Sequence, residues 1–273
     1  MKLVNKIYVG ANARESLIDF ETPDNFYENI VVFIHGYKGF KDWGAWNLVQ
    51  DYFVSGGVAF CKFNISHNGG TINNPIDFTD LNAFANNRYT YELEDVQQVL
   101  SWLEKNVDLS DKKIHLIGHS RGGGIAVLSA LDSRISSVTT WAGISDIESR
   151  FPKGDDLKKW KKEGLYTVLN SRTKQNLPHD YAFYEDWKNN KERLDLEAIA
   201  SKIEIPILHI HGDNDNAVHV SESEKLSNLT NGKLFIINDA SHTFNTHHPY
   251  NEKDLPNKLN EACNLTMQFI SRI

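Results

Sequence analysis

Cysteine is nearly absent from this chain of 273 residues. Its two cysteines, Cys61 and Cys263, are far apart in sequence, and neither their number nor their spacing makes a disulfide framework or a zinc site. Cys61 sits in an apolar run and Cys263 in an expected helix, so both read as reduced structural thiols, which fits a cytoplasmic protein. No apolar run is long enough to span a bilayer, and the stretch from Met1 to Val9 lacks the apolar block of a signal peptide. Repeats, low-complexity segments and Pro/Gly/Ser linkers are also missing. An excess of positive charge is missing too: the formal net charge of −7 argues against nucleic acid or an anionic membrane as the main partner.

What remains is the composition of an ordinary soluble globular enzyme, long enough for one large α/β domain with an insertion. Short apolar runs rich in β-branched and aromatic residues occur at 29–34, 58–63, 114–117, 137–141, 205–210 and 234–237. Runs of this kind predict strands covered on both faces. Between most of them lie helical patterns, clearest over 88–106, where Leu93, Val96, Val99, Leu100 and Leu103 share a face. Glu92, Glu94 and Glu104 are placed on its solvated side. The alternation implies βαβ units and a mostly parallel central sheet with helices on both faces. Residues 3–9 and 16–20 predict an antiparallel leader pair.

Residues 144–201 break this rhythm. They contain no strand-like run but many large aromatics, among them Trp160, Tyr166, Tyr181, Phe183, Tyr184 and Trp187. Such rings need burial, so the segment predicts a helical cap inserted into a core of residues 1–143 and 202–273.

The strongest chemical signal is Gly118-His119-Ser120-Arg121-Gly122, which follows an apolar run and precedes Gly123, Gly124 and a helix-forming stretch. That is the strand–turn–helix setting of a nucleophile elbow, in which a tight turn lifts the serine hydroxyl above the sheet. A serine needs a base, and the base needs a third group to orient it. Just beyond later strands the chain offers His211-Gly212-Asp213-Asn214-Asp215 and Ser241-His242-Thr243-Phe244. His242 is the candidate base. Asp215 and Asp213 compete as the acid, with Asp215 preferred and Asp213 assigned to shaping the turn. His119, His209 and His211 read as core or supporting groups, and His247 and His248 as surface or rim residues. Oxyanion donors are expected from backbone N–H groups: Arg121 at the helix start, and Tyr37 in the loop His35-Gly36-Tyr37-Lys38-Gly39. His35 is expected to hold that loop. Phe40, Trp43 and Trp160 are candidate substrate contacts.

Together these motifs resemble the α/β-hydrolase fold. Within it, the chain resembles the dienelactone-hydrolase-like and serine-aminopeptidase-like hydrolases, and is similar to bacterial feruloyl (cinnamoyl) esterases. The resemblance covers essentially the whole chain and implies that the acid is Asp215, three residues after His211-Gly212. A serine at position 120 departs from the cysteine nucleophile of dienelactone hydrolases proper. The implied activity is hydrolysis of small carboxylic esters through Ser120, His242 and Asp215, with no metal or organic cofactor. Peptide hydrolysis by the same residues is the alternative, with Asp155, Asp156, Glu185 or Asp186 available to hold an amine. A non-catalytic binding role is the third reading.

Overall fold

The computed structural model describes residues 1–273. In chain order the elements are β1 (Lys2–Val9), β2 (Glu15–Glu21), β3 (Asn29–Ile34), α1 (Trp46–Ser55), β4 (Ala59–Phe63), α2 (Leu81–Ala85), α3 (Tyr89–Asn106), β5 (Lys113–His119), α4 (Arg121–Ser129) and β6 (Ile135–Trp141). They continue with α5 (Gly154–Glu163), β7 (Leu165–Leu169), β8 (Asn176–Asp180), α6 (Ala182–Asn189), α7 (Lys191–Leu194), α8 (Leu196–Ala200), β9 (Ile207–Gly212), α9 (Ser221–Thr230), β10 (Lys233–Ile237) and α10 (Asn257–Ile270).

Eight strands form one sheet in the order β1-β2-β4-β3-β5-β6-β9-β10. β1 and β2 pair antiparallel, β2 meets β4 antiparallel, and every later pairing is parallel. The antiparallel leader pair and the six strands foreseen from apolar runs are all in this sheet. Because the side-chain period of a strand is two, each central strand feeds two cores. Val32, Ile34 and Leu116 join the core under α3 and α4, while Val31, Phe33 and Ile117 join the one under α1 and α10. Cys61 on β4 and Cys263 on α10 are fully buried free thiols, and burial raises the pKa of both far above the ordinary value. No helix is long and apolar enough to cross a membrane.

Two features depart from the sequence reading. The segment after β6 is not wholly helical: β7 and β8 form an antiparallel hairpin of their own. Its strands are short: β7 is the apolar run Leu165-Tyr166-Thr167-Val168-Leu169, with side chains mostly exposed instead of in the core, and β8 has no such run. Glu92 is not solvated; it is 3% exposed, on the inner face of α3, where the next two groups with its spacing are Val96 and Val99.

The loop after β3 rests on a buried charge cluster. Lys41 reaches Asp19 at 2.7 Å and Asp42 at 2.6 Å, and Lys62 contacts Asp19, Asp42 and Asn47. Lys41 N–H also donates to Asn64 Oδ1 at 2.6 Å. Two lysines this deeply buried are tolerated because they share two carboxylate partners, Asp19 and Asp42.

Candidate active site

Ser120 sits where β5 turns into α4, at φ 58° and ψ −120°. This region is sparsely populated for a residue with a side chain, and such strain concentrates at functional sites. The surroundings enforce it. A Cβ on Gly118 would run into the Gly122 carbonyl, and one on Gly122 would run into the Ile34 carbonyl, so the turn can close only with glycine at both places. Ser120 N–H donates to the Trp141 carbonyl at 2.8 Å, which fixes the turn to β6.

The carboxyl ends of β5, β9 and β10 bring three side chains into one line. His242 Nε2 lies 2.9 Å from Ser120 Oγ, and His242 Nδ1 lies 2.7 Å from Asp215 Oδ2. Asp215 is buried, and burial opposes its ionisation. Hydrogen bonds from His211 and His242, with the Val218 amide, outweigh burial and hold the carboxyl well below its usual range. Its other oxygen accepts the amides of Ala217 and Val218 at 2.8 and 2.9 Å. Asp213 instead faces away and accepts the Asp239 amide at 2.7 Å, the turn-shaping role expected of it.

The neighbouring histidines are supports. His211 Nε2–H donates to the Val218 carbonyl at 2.9 Å and leans 3.1 Å from Asp215, while its Nδ1 accepts from Ser223 at 2.6 Å. His119 Nε2–H donates to the His242 carbonyl at 2.8 Å, and burial pushes its pKa down to about 3, so it stays neutral. His35 Nε2 accepts the Ile65 amide at 3.1 Å and Nδ1–H donates to the Gly36 carbonyl at 2.9 Å, which holds the loop after β3. His248, expected at the rim, accepts the Gly44 amide at 3.0 Å.

The N–H groups of Tyr37 and Arg121 donate to no protein acceptor. Their side chains meet: the Arg121 guanidinium stands 4.3 Å from the centre of the Tyr37 ring and also faces Tyr89 and Phe183. Glu92 accepts from Arg121 at 3.2 Å.

Beside Ser120 and His242 lies a cavity of about 400 Å³. Its apolar wall comes largely from residues after β6, including Phe151, Trp160, Tyr166 and Phe183, and its cationic groups are Lys38, Arg121 and Arg150. Of the three substrate contacts expected from sequence, only Trp160 lines it. Phe40 and Trp43 are packed against His248 instead, at ring separations of 4.9 and 6.0 Å. The loop after β3 turns these two rings toward the chain near Pro249, because the buried Lys41 between them points inward to Asp19. Asp155, Asp156, Glu185 and Asp186 do not line the cavity; Asp186 accepts from Thr90. Phe151, His179 and Arg150 were not foreseen as site residues. No group of three or more His, Cys, Asp or Glu side chains converges as a set of metal donors.

Comparison with known proteins decides the family. The family model described as “Putative esterase” matches residues 21–255. The chain belongs to this esterase family. An uncharacterized peptidase of Bacillus subtilis, YtmA, is 27% identical over 142 residues, or 50% of this chain and 49% of that protein. The chain thus matches about half the length of this curated relative. Est1E from Butyrivibrio proteoclasticus, solved with ferulic acid bound, superposes with a TM-score of 0.75 at 18% identity, over 98% of both chains. Dienelactone hydrolase from Anabaena variabilis gives 0.65 at 17%, over 100% of this chain and 97% of that one. These likenesses show the α/β-hydrolase fold. The esterase family is one of hydrolases.

Proposed function

We propose that the protein is a serine hydrolase of carboxylic esters. The observation that carries this reading is the line Ser120–His242–Asp215, with hydrogen-bond distances of 2.9 and 2.7 Å. Ser120 Oγ attacks the acyl carbon as His242 Nε2 takes its proton, and Asp215 holds the imidazole and offsets its charge. The tetrahedral oxyanion accepts from the N–H groups of Tyr37 and Arg121, at the positive end of α4. The intermediate collapses, the C–O bond breaks, and His242 returns the proton to the leaving alcohol. Water then attacks the acyl-enzyme, with His242 again as base, and releases the acid and free Ser120. Every proton moves among Ser120, His242, the leaving alcohol and water, so the cycle calls for no metal or organic cofactor.

The aromatic wall favours an aryl or short apolar acyl group, in keeping with the ferulic acid that Est1E holds. The residues 144–201 serve as the cap that encloses it. The buried, reduced thiols suit a cytoplasmic setting. Peptide hydrolysis gains support from the half-length likeness to YtmA, but no carboxylate lines the cavity to hold a peptide amine. Short-acyl p-nitrophenyl esters should be turned over by the wild type and not by Ser120→Ala. Well-folded wild type that cleaves an aminoacyl amide but not the matching ester would give the peptidase reading.

A further inference from the structure

Tyr37 carries the proposed oxyanion amide of the loop after β3, and its side chain does not lie free. The hydroxyl is 2.7 Å from Nε2 of His179, a residue 142 positions away on β8. His179 is 7% exposed, and its other ring nitrogen, Nδ1, has no hydrogen-bond partner. Burial and the nearby charges of Arg121, Lys38 and Arg88 press its pKa down to about 3, so at neutral pH it is an uncharged imidazole. A buried ring with one idle nitrogen is an expensive way to fill space. Phenylalanine would pack as well there, since His179 lies among Phe84, Phe183 and the Tyr37 ring, at centroid separations of 5.3, 5.5 and 5.6 Å.

β8 is itself firmly seated. Trp160 Nε1–H donates to the His179 carbonyl at 2.9 Å, Gln175 donates to the Phe78 carbonyl at 3.1 Å, and Leu177 is buried against Phe78 and Phe84. The loop that carries Tyr37 is anchored on either side by His35 and Lys41 and closes with a Gly39 N–H to Gly36 carbonyl bond of 3.0 Å, which leaves the Tyr37 side chain to be fixed from outside. Lys38, the next residue, stands at φ 58°, a conformation that a lysine does not hold without outside help. Once the Tyr37 ring is fixed between His179 and Arg121, its backbone cannot rotate without sweeping the ring through both, so the direction of its N–H is fixed as well.

From this juxtaposition we infer that His179 is a positioning residue for the reaction: through the Tyr37 hydroxyl, the β7–β8 hairpin aims the oxyanion-binding amide. The inference rests on the ester-hydrolase reading and gives the hairpin a role in rate beyond that of a wall for substrate. Full loss of an oxyanion donor costs roughly 100- to 1000-fold in kcat, and a misaimed donor costs part of that, about tenfold.

The test is a double-mutant cycle with Tyr37→Phe, His179→Phe, the two combined, and His179→Gln. Each is measured for kcat and KM on p-nitrophenyl butyrate, for the inhibition constant of a trifluoromethyl ketone that forms a hemiketal with the serine, and for its thermal midpoint. The expected result is about a tenfold fall in kcat in each single phenylalanine variant and the same fall, not the product, in the double. KM should hold, ketone binding should weaken in step with kcat, and His179→Gln, which can hydrogen-bond either way, should recover most of the rate. Tyr37→Phe is the mildest change and keeps the test alive if position 179 proves intolerant. Multiplying losses, unchanged kcat in Tyr37→Phe, or a change confined to KM would overturn the inference. Loss of Ser120-dependent turnover in the wild type itself would instead overturn the ester-hydrolase reading.

Discussion

Arg121 and Glu92 form a buried ion pair, 3.2 Å apart, one residue beyond Ser120. Burial raises the Glu92 carboxyl above its ordinary value while Arg121 pulls it down, and Asn87 donates to the same oxygen at 2.6 Å. Breaking such a pair leaves an uncompensated charge inside the protein. Glu92→Ala should therefore lower unfolding stability by roughly 3–5 kcal/mol in urea titration. Replacing both partners, as Glu92→Leu with Arg121→Met, should recover most of the loss. A single variant within 1 kcal/mol of wild type, on the scale of an exposed pair, would refute the buried-charge account.

Asp215→Asn keeps the shape of the acid but removes its charge and presents an amide to the N–H groups of His211 and His242. The imidazole then loses the acceptor that orients it, and kcat on short-acyl esters should fall by roughly 10⁴-fold with little change in the circular dichroism spectrum. Asp213→Asn, which affects only a turn, should stay within a few-fold of wild type.

Six buried histidines set the response to acid. His35, His67, His115 and His209 are pushed down by burial to about 4, and His119 and His179 to about 3. In the unfolded chain each titrates near 6.5, so below that pH the unfolded state binds protons that the folded state refuses. Stability is fully present above about pH 6.5 and is lost as pH falls toward 4, by about 1.4 kcal/mol per pH unit for each group. Thermal midpoints measured from pH 8 to pH 5 should be flat at first and then drop steeply. A level profile down to pH 5 would contradict the buried, neutral histidines.

The cavity wall takes in aromatics of the segment after β6 and leaves Phe40 and Trp43 outside. Phe151→Ala should raise KM for aryl esters by about tenfold, the worth of one lost apolar contact of ~1.4 kcal/mol. Trp43→Ala should leave that KM near the wild-type value, because Trp43 stacks on His248 outside the cavity. The reverse pattern would return Trp43 to the substrate pocket.

The parts of the site that hang on strand ends were legible because their signals are local. Ser120 is marked by glycines that the turn demands, and Asp215 and His242 each follow a strand visible as an apolar run. Glu92 was legible in principle: it precedes Val96 and Val99 by four and seven residues, the same helical face as the apolar stripe, yet its charge argued for solvent. His179 was not legible. Its own strand, β8, has one large apolar residue, Leu177, and its partner lies 142 residues away, so only the folded chain joins them. Phe40 and Trp43 misled for a related reason: closeness in sequence to Tyr37 says nothing about which way a loop turns its rings.

The two cysteines have a practical consequence. Cys61 and Cys263 are sealed in the core as unreactive thiols, so the native protein offers alkylating dyes almost nothing to attack. A cysteine introduced at exposed Ser171, in the turn between β7 and β8, would be the single reactive handle on the molecule. A fluorophore there would watch the hairpin during turnover without any native residue having to be removed first.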